Sequence, residues 1–484
     1  MMAQPGNRRA VLLLVDGARP DVFEHLVAAG DLPNVARHVL EPGEMVPATT
    51  VFPSTTCVAY LPFLTGCYPG TCDVPGIRWL DVARYGGRWW RDRAHVRSYC
   101  GYQGGRLDGD IEPSIPSLFD IVPHAVGICT PIARGLGHAR VWTSTARAVW
   151  GAVGHYTGRY GPLDRAVGRA LLRTAAERPE FVFAVFPGVD GVTHLRDPWH
   201  PRVLDTYRAF DRVLGAYAAA GGLDDEPLVV LVSDHGLSSV RRHTDLALAL
   251  ERIGCPTLRH PLLWRTNPTA AVMVSGNGAA HVYLRPGIQR NRRFTLSEIE
   301  SGEVRGISRL LADRLADRPG IALVAGVDGD GVVVISHRGR ARVRSTPAGI
   351  AYEPLSADVL ELGPAAVLPD RVWHQRTIDG RFPDAPAQLL QVFRSPRAGD
   401  LVVAAEEGSD LRGPWEIPEH RSGHGSLIKE HMRCLLAANV SLPGPLRTTD
   451  VFPLILEHLG RALPEGIDAA YDGHGRALAI RRPA

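Results

Sequence analysis

Short, wholly apolar runs recur along the chain, separated by stretches whose apolar residues fall at helical spacing. Ala10–Val15, Ala125–Cys129, Phe181–Phe186 and Leu228–Val232 show no alternation, the pattern of strands buried on both faces. Helical spacing marks Val22–Ala29, Asn34–Val39, Leu163–Ala176 and Arg202–Ala220, with Gly30 and Pro33 setting the turn between the first two. Strands alternating with helices predict an α/β fold, a doubly wound and mostly parallel sheet flanked by helices.

Two stretches break that rhythm. From Ile77 to about Pro113 tryptophan, tyrosine, arginine and glycine crowd together with little periodicity, which reads as an insertion over one face of the core. Aromatic and basic side chains of this kind suit stacking on a base or sugar ring, and equally a structural flap. Residues 246–365 mix the alternating stretches Ala270–Val274, His281–Leu284 and Gly331–Ile335 with one helical stretch, Ile307–Asp317, as in an α+β insertion or cap. The core pattern then returns with a strand at Asp400–Ala404, a loop through His420 and His424, and a helix at Thr449–Leu459. The expected organisation is a core in three parts, 8–76, 114–245 and 366–484, interrupted by the 77–113 and 246–365 insertions and preceded by a disordered tail at 1–7.

Composition narrows the class only a little. Of the 484 residues, 45% are apolar and 22% charged, as in an ordinary soluble globular protein. Lys and Arg number 54 against 51 Asp and Glu, and a net +3 is too weak to argue for nucleic acid or an anionic membrane as a specific partner. The seven cysteines are odd in number and scattered without a CxxC pair, against both a disulfide framework and a cysteine zinc knot. The apolar run after Arg8 and Arg9 is broken at Asp16, too early for a signal peptide or a membrane span, so a cytoplasmic protein is expected.

The candidate chemistry begins at strand ends. Asp16, Asp190 and Asp234 stand just past the C-terminal ends of three apolar runs, and that edge of an open parallel sheet is where ligands bind. One aspartate there is often only a helix cap; three at equivalent edges, two with histidine nearby, are harder to dismiss. Asp190 and His194 are four residues apart, on one side of a turn or first helical turn. Asp234 and His235 are adjacent before Gly236, and His424 lies between glycines. Carboxylates and imidazoles with almost no sulfur suit a catalytic zinc, or manganese and iron less well.

Val46–Pro69 supplies a hydroxyl. An apolar approach ends in the turn Phe52-Pro53-Ser54, then come Thr55 and Thr56 and an apolar run closing on Thr65-Gly66. Ser54 and Thr55 are N-cap types, and Tyr60, Leu61 and Leu64 are spaced to share one helical face. Taken alone the stretch is a capped core helix. With metal ligands near it, a threonine beside free N–H groups becomes a nucleophile that a divalent cation activates, for phosphoryl or sulfuryl transfer.

The segments LLLVDGARPD, PSTTCVAYLPFLTGCYP, PGVDGVTH, LVSDHG and SGHGS occur in that order. With them the chain resembles the alkaline phosphatase superfamily, and within it the nucleotide pyrophosphatase/type I phosphodiesterase family. The likeness covers the two ends and the middle of the chain and leaves both insertions without a motif. It implies two zinc ions and a covalent phospho-threonine intermediate. On it, Asp16, Asp234 and His235 match the ligands of the metal that activates the nucleophile, and Asp190, His194 and His424 match those of the other. The nucleophile, also a ligand of the first metal, matches the threonine nine residues before Thr65, which is Thr56, with Thr55 as the fallback. His420 lacks the His-Gly context that His424 shares with the family.

One position departs from the family, which carries an asparagine three residues after its nucleophile to hold a phosphate oxygen; here it is Ala59. Another donor is then needed, and the Arg/Trp-rich insertion is a candidate source. A sulfatase is discounted, because Cys67-Tyr68-Pro69-Gly70-Thr71 lacks the required arginine and comes after the nucleophile stretch. Nothing beyond the shared fold supports a metal-dependent phosphoglycerate mutase. The expected function is a metal-dependent hydrolase of phosphodiester or nucleotide pyrophosphate bonds in small phosphate esters, working through Thr56. A phosphomonoesterase or phosphonate hydrolase on the same scaffold is the alternative, ahead of a non-catalytic metal-binding protein. His243, His431 and the Arg394–Arg397 turn read as structural.

Overall fold

The computed structural model describes residues 8–137, 140–260, 267–413 and 416–469; the expected tail at 1–7 lies outside them. Each apolar run forms a wholly buried strand. They assemble into a seven-stranded sheet in the order Glu44–Met45, Leu436–Ala438, Leu228–Val232, Ala10–Val15, Phe181–Phe186, Ala125–Ile128, Val141–Trp142. Pairing is parallel from Leu228–Val232 through to Val141–Trp142, whereas Leu436–Ala438 and Glu44–Met45 join antiparallel at one edge. Register decides where these strands end. Val15 faces Phe186 and Leu14 faces Val232, so three strands end nearly level and the residues after them share one edge.

A second, nine-stranded sheet accounts for most of the rest. Its order is Thr257–Arg259, Ala270–Ser275, Ala279–Leu284, Leu401–Ala405, Ile321–Asp328, Gly331–Ser336, Gly339–Thr346, Gly349–Pro354, Ala366–Leu368, antiparallel except at its first pair. This corrects the expected return to the core at Asp400. Leu401–Ala405 lies inside the second sheet, and the chain regains the first only at Leu436–Ala438. Packing on both sides of the strand explains the difference. Val402 and Ala404 pack into an apolar cluster with Trp373 and Phe382, whereas Leu401, Val403 and Ala405 pack into one with Leu246 and Leu315. A strand covered on both faces is a continuous apolar run in either type of sheet.

The Arg/aromatic stretch forms a two-stranded ribbon, Arg78–Leu80 against Val96–Ser98, outside the main sheets. Among its described aromatic side chains Trp79, Tyr85 and Tyr99 are buried and Trp90 is exposed, and Trp79 Nε1 donates to Tyr99 Oη at 2.9 Å. The stacking reading therefore loses its best rings, which fasten the ribbon instead. Among the described residues no helix is long and apolar enough to cross a membrane.

Leu13, in the strand flanked by two parallel neighbours, is wholly buried. Leu13→Ala is expected to cost about 2–5 kcal/mol of stability through lost burial and the cavity left behind, read by chemical denaturation at fixed metal concentration.

Candidate metal centre

The level strand ends bring five carboxylate and imidazole side chains to one place, and the loop after the strand Ser422–Gly423 adds His424. Asp16 follows Ala10–Val15, and Asp234 with His235 follows Leu228–Val232. Asp190 and His194 sit at the start and end of the short helix Gly188–Thr193 after Phe181–Phe186. His235 Nε2 lies 3.6 Å from Asp16 Oδ1 and 3.3 Å from Asp234 Oδ2. His194 Nε2 lies 3.2 Å from Asp190 Oδ2, and His424 Nε2 lies 3.9 Å from Asp190 Oδ1. The rings of His235 and His424 stack at 3.7 Å, only 10° from parallel. Gly17 makes this convergence feasible: it takes φ +67°, and a Cβ there would lie 2.8 Å from Asp190 Cβ.

Two triads have ligand atoms close enough to hold one ion each, Asp16/Asp234/His235 and Asp190/His235/His424. His235 thus lies within reach of both, and His194 touches the second through Asp190. Their chemistry matches a cation. Asp16 Oδ1, Asp190 Oδ1 and Asp234 Oδ2 are buried with no hydrogen-bond partner, three acceptors pointed into the clusters. Every imidazole is oriented the same way. His235 Nδ1 donates to Gly236 O at 3.0 Å, His424 Nδ1 to Ser54 O at 2.9 Å and His194 Nδ1 to Ser422 O at 2.9 Å. A carbonyl only accepts, so each neutral ring keeps its proton on Nδ1 and leaves the Nε2 lone pair free, the arrangement that fixes a metal-binding histidine.

The electrostatics agree. Burial, reinforced by the charges of Asp234 and Asp190, holds the Asp16 carboxyl well above the usual range. Burial also raises Asp234, against the pull of His235. For Asp190 burial is outweighed by His194, with His424 and His235 adding, and its pKa falls below the carboxylate range. Burial and the neighbouring His235 drive His424 far down, keeping its ring neutral. Buried carboxylates that repel one another are a place where a divalent ion relieves the repulsion.

Thr56 stands beside this edge, its Oγ1 3.2 Å from His235 Nε2. The local backbone is not the capped helix expected. Ser54 and Thr55 cap nothing; a 3₁₀ turn at Val58–Tyr60 leads into the short helix Leu61–Thr65, neither with a side-chain cap. Ser54 Oγ donates instead to Ser426 O at 3.0 Å and accepts from Gly425 N at 3.2 Å, tying the threonine loop to the His424 loop. Cys57 takes φ +72° and ψ −49°, a strained conformation of the kind that costs about 1–3 kcal/mol and collects at functional sites. Thr55 Oγ1 is buried without a partner, and Ala59 packs against Val51 and Tyr68 with no polar atom to offer.

Several residues here carried no signal in the sequence. Tyr60 Oη donates to Asp16 Oδ2 at 2.9 Å; its spacing read only as a helix face. His420 stacks on His194 at 4.1 Å, His155 meets His420 edge-on at 5.8 Å, and Asn277 Nδ2 donates to His420 Nδ1 at 3.2 Å. Asn277 comes from the second sheet, a neighbour that no local spacing reveals. His243 binds Asp410 and Glu419, His431 binds Ser238 and Ser426, and Arg394 and Arg397 pair with Asp468 and Asp73, so each of the four has partners within the protein.

A family model described as type I phosphodiesterase/nucleotide pyrophosphatase matches residues 10–427. No curated protein matches in sequence. Among solved structures, phosphonoacetate hydrolase from Sinorhizobium meliloti 1021 with phosphonoacetate superposes with a TM-score of 0.57 at 17% identity, over 94% of this chain and 96% of that one. Murine ectonucleotide pyrophosphatase/phosphodiesterase 5 gives 0.55 at 13% identity over the same shares. An inactive threonine-to-alanine variant of it, in complex with AMP, gives 0.54 at 13% identity, again covering 94% and 96%. At these identities the likeness shows a shared alkaline-phosphatase-like fold.

Gly17→Ala is expected to destabilise the protein by at least about 1–3 kcal/mol through its positive φ and to lower metal content, both checked on one preparation by denaturation and elemental analysis. A divalent ion at a hundred times its Kd is expected to add about 2.7 kcal/mol of stability for each cluster it fills, with zinc as the first ion to try. The sign with pH follows from Asp16 and Asp234. Their raised folded pKa values stabilise the metal-free fold below the ordinary carboxylate range, and that stability is lost as pH rises through them. Zinc should therefore raise the Tm more at pH 7 than at pH 5, as scanning calorimetry would read.

Proposed function

The chain belongs to the type I phosphodiesterase/nucleotide pyrophosphatase family and is a hydrolase of that family; on that premise we propose that it cleaves phosphodiester or nucleotide pyrophosphate bonds through a covalent phospho-threonine at Thr56, in a two-zinc site. The observation that carries this reading is the set of three unpartnered carboxylate oxygens and three Nδ1-anchored imidazoles gathered beside a threonine hydroxyl. Asp16, Asp234 and His235 would hold one ion, with Thr56 Oγ1 adjoining it. Asp190, His194 and His424 would hold the other. One Nε2 lone pair serves one ion, so His194, 3.2 Å from Asp190, is the natural third ligand where His235 is already engaged. Two divalent ions would make the hydroxyl more acidic and neutralise phosphate charge.

The chain's own part is positional. Tyr60 holds Asp16 through Oδ2, leaving Oδ1 for the ion, and Gly17 N holds Asp234 through Oδ1, leaving Oδ2. Ser54 fixes the threonine loop against the His424 loop, so Thr56 is aligned before substrate arrives. Thr56 Oγ1 would bond to phosphorus as the leaving oxygen departs. Water would then attack the same phosphorus and return the Thr56 hydroxyl. The inactive threonine-to-alanine variant of the murine relative supports this assignment by analogy.

Ala59 favours a second reading. Its apolar packing provides no amide at the place where the family holds a phosphate oxygen. A phosphomonoesterase or phosphonate hydrolase would follow, and the S. meliloti structure is of the latter kind.

Thr56→Ala is expected to lower kcat by at least about 1,000-fold while both ions stay bound by elemental analysis; normal turnover in that variant would overturn the nucleophile. Chelation should abolish activity and zinc restore it. The ratio of rates on bis(p-nitrophenyl) phosphate and p-nitrophenyl phosphate separates the two readings.

A further inference from the structure

Beside the proposed centre two arginines converge in a way the catalytic reading does not use. Arg78, at the start of the ribbon strand Arg78–Leu80, donates from Nη1 to Glu416 Oε1 at 2.7 Å. Arg412 donates from Nη2 to the backbone O of the same Glu416 at 2.7 Å. On each, one further donor is not served. Arg78 Nε and Arg412 Nη1 are both buried without a partner, and Arg412 as a whole is 8% exposed. His260, whose pKa burial and the Arg78 charge lower to about 3, adds a buried and unpartnered Nδ1. Asp410 is the other carboxylate near Arg412; its Oδ1 accepts from His243 Nδ1 at 2.8 Å, and it forms no ion pair with Arg412 among the described residues. Buried guanidinium donors left unbonded are costly, and two that meet at one residue with a single carboxylate between them have the charge and fork geometry to take another anion.

The pair borders the site on two sides. Leu411 N donates to Asn277 O at 2.7 Å; Asn277 bridges to the backbone of His424 and donates to His420, which stacks on His194. On the other side Ile417, the residue after Glu416, accepts a hydrogen bond from His155, which meets His420 edge-on. We propose that Arg78 and Arg412 form a subsite for a second anionic group of the substrate, a carboxylate or phosphate separate from the reacting phosphorus. This rests on the reading of Thr56 and the two ligand sets as the reacting centre. It names the substrate class as one in which the transferred or leaving portion carries its own negative charge.

The test is binding to the zinc-loaded full chain carrying Thr56→Ala, so that no turnover intervenes, followed by titration calorimetry. The probes are ω-phosphonocarboxylates from phosphonoacetate to 6-phosphonohexanoate, each against its carboxylate methyl ester. At one chain length or more the free acid is expected to bind at least tenfold tighter than the ester. Arg412→Met and Arg78→Met should each remove most of that advantage and leave ester binding within twofold. Glu416→Gln, which removes the negative charge from Arg78 and leaves the Glu416 carbonyl on Arg412, should strengthen the free acid three- to tenfold, the opposite of what loss of a merely structural ion pair would do. The α,ω-bisphosphonates of matching length identify the anion: tighter binding than the carboxylates assigns a phosphate, weaker binding a carboxylate. A free acid no tighter than its ester at every length, or an advantage intact in both Arg→Met variants, overturns the subsite. Hydrolysis of bis(p-nitrophenyl) phosphate without that advantage defeats the subsite alone, whereas an Arg-dependent advantage in a protein that hydrolyses no ester defeats the catalytic reading alone.

Discussion

Three buried aspartates held close together, of which only Asp190 has its pKa lowered overall by histidine charge, are the constraint around which this fold is arranged. Left to themselves, Asp16, Asp190 and Asp234 would stay apart or in water, because bringing buried carboxylates close is costly. The parallel register overrides that preference by ending three central strands level, and Gly17 removes the one Cβ that would hold Asp190 off. Much of the surrounding polar detail limits the cost rather than removing it. Tyr60 and the Gly17 amide each satisfy one oxygen of a carboxylate and leave the other bare. The bare oxygens, all on the same side, are what make a divalent ion the natural completion of the structure.

The histidines follow the same logic from the opposite charge. Backbone carbonyls of Ser54, Gly236 and Ser422 capture the Nδ1 protons, so the inward lone pairs do not depend on pH-sensitive side chains for their orientation. One of those carbonyls belongs to the loop that carries Thr56. The residue that orients His424 and the residue proposed to attack phosphorus therefore move as one piece, and a shift of the loop would disturb both.

Much of this was legible in the sequence because it is local. Strands buried on both faces leave uninterrupted apolar runs, and a polar residue at the end of such a run marks the ligand edge of a parallel sheet. Asp16, Asp190 and Asp234 stand out on that basis alone, and the ordered segments around them point to the family. What was hidden depends on chain far away. Leu401–Ala405 looks like a core strand because either sheet would bury it on both faces. Ser54 looks like a helix cap because its real partners, Ser426 and Gly425, are more than 300 residues along. Tyr60 gains meaning only from Asp16, 44 residues earlier, and Asn277 and His420 only where two sheets meet. Arg78 and Arg412, far apart in sequence, meet only at Glu416.

That meeting of sheets has a consequence for how the protein is made. His424 is held at the seam, its backbone bridged to Asn277 of the second sheet and its loop bridged to Ser54 of the first layer. A ribosome has already delivered Asp16, Asp234 and His235 when the central strands of the first sheet are complete, but His424 emerges 189 residues after His235. One of the two clusters is therefore complete early in synthesis, while the other waits until Leu401–Ala405 has closed the second sheet. A chain interrupted between those two points carries half a centre.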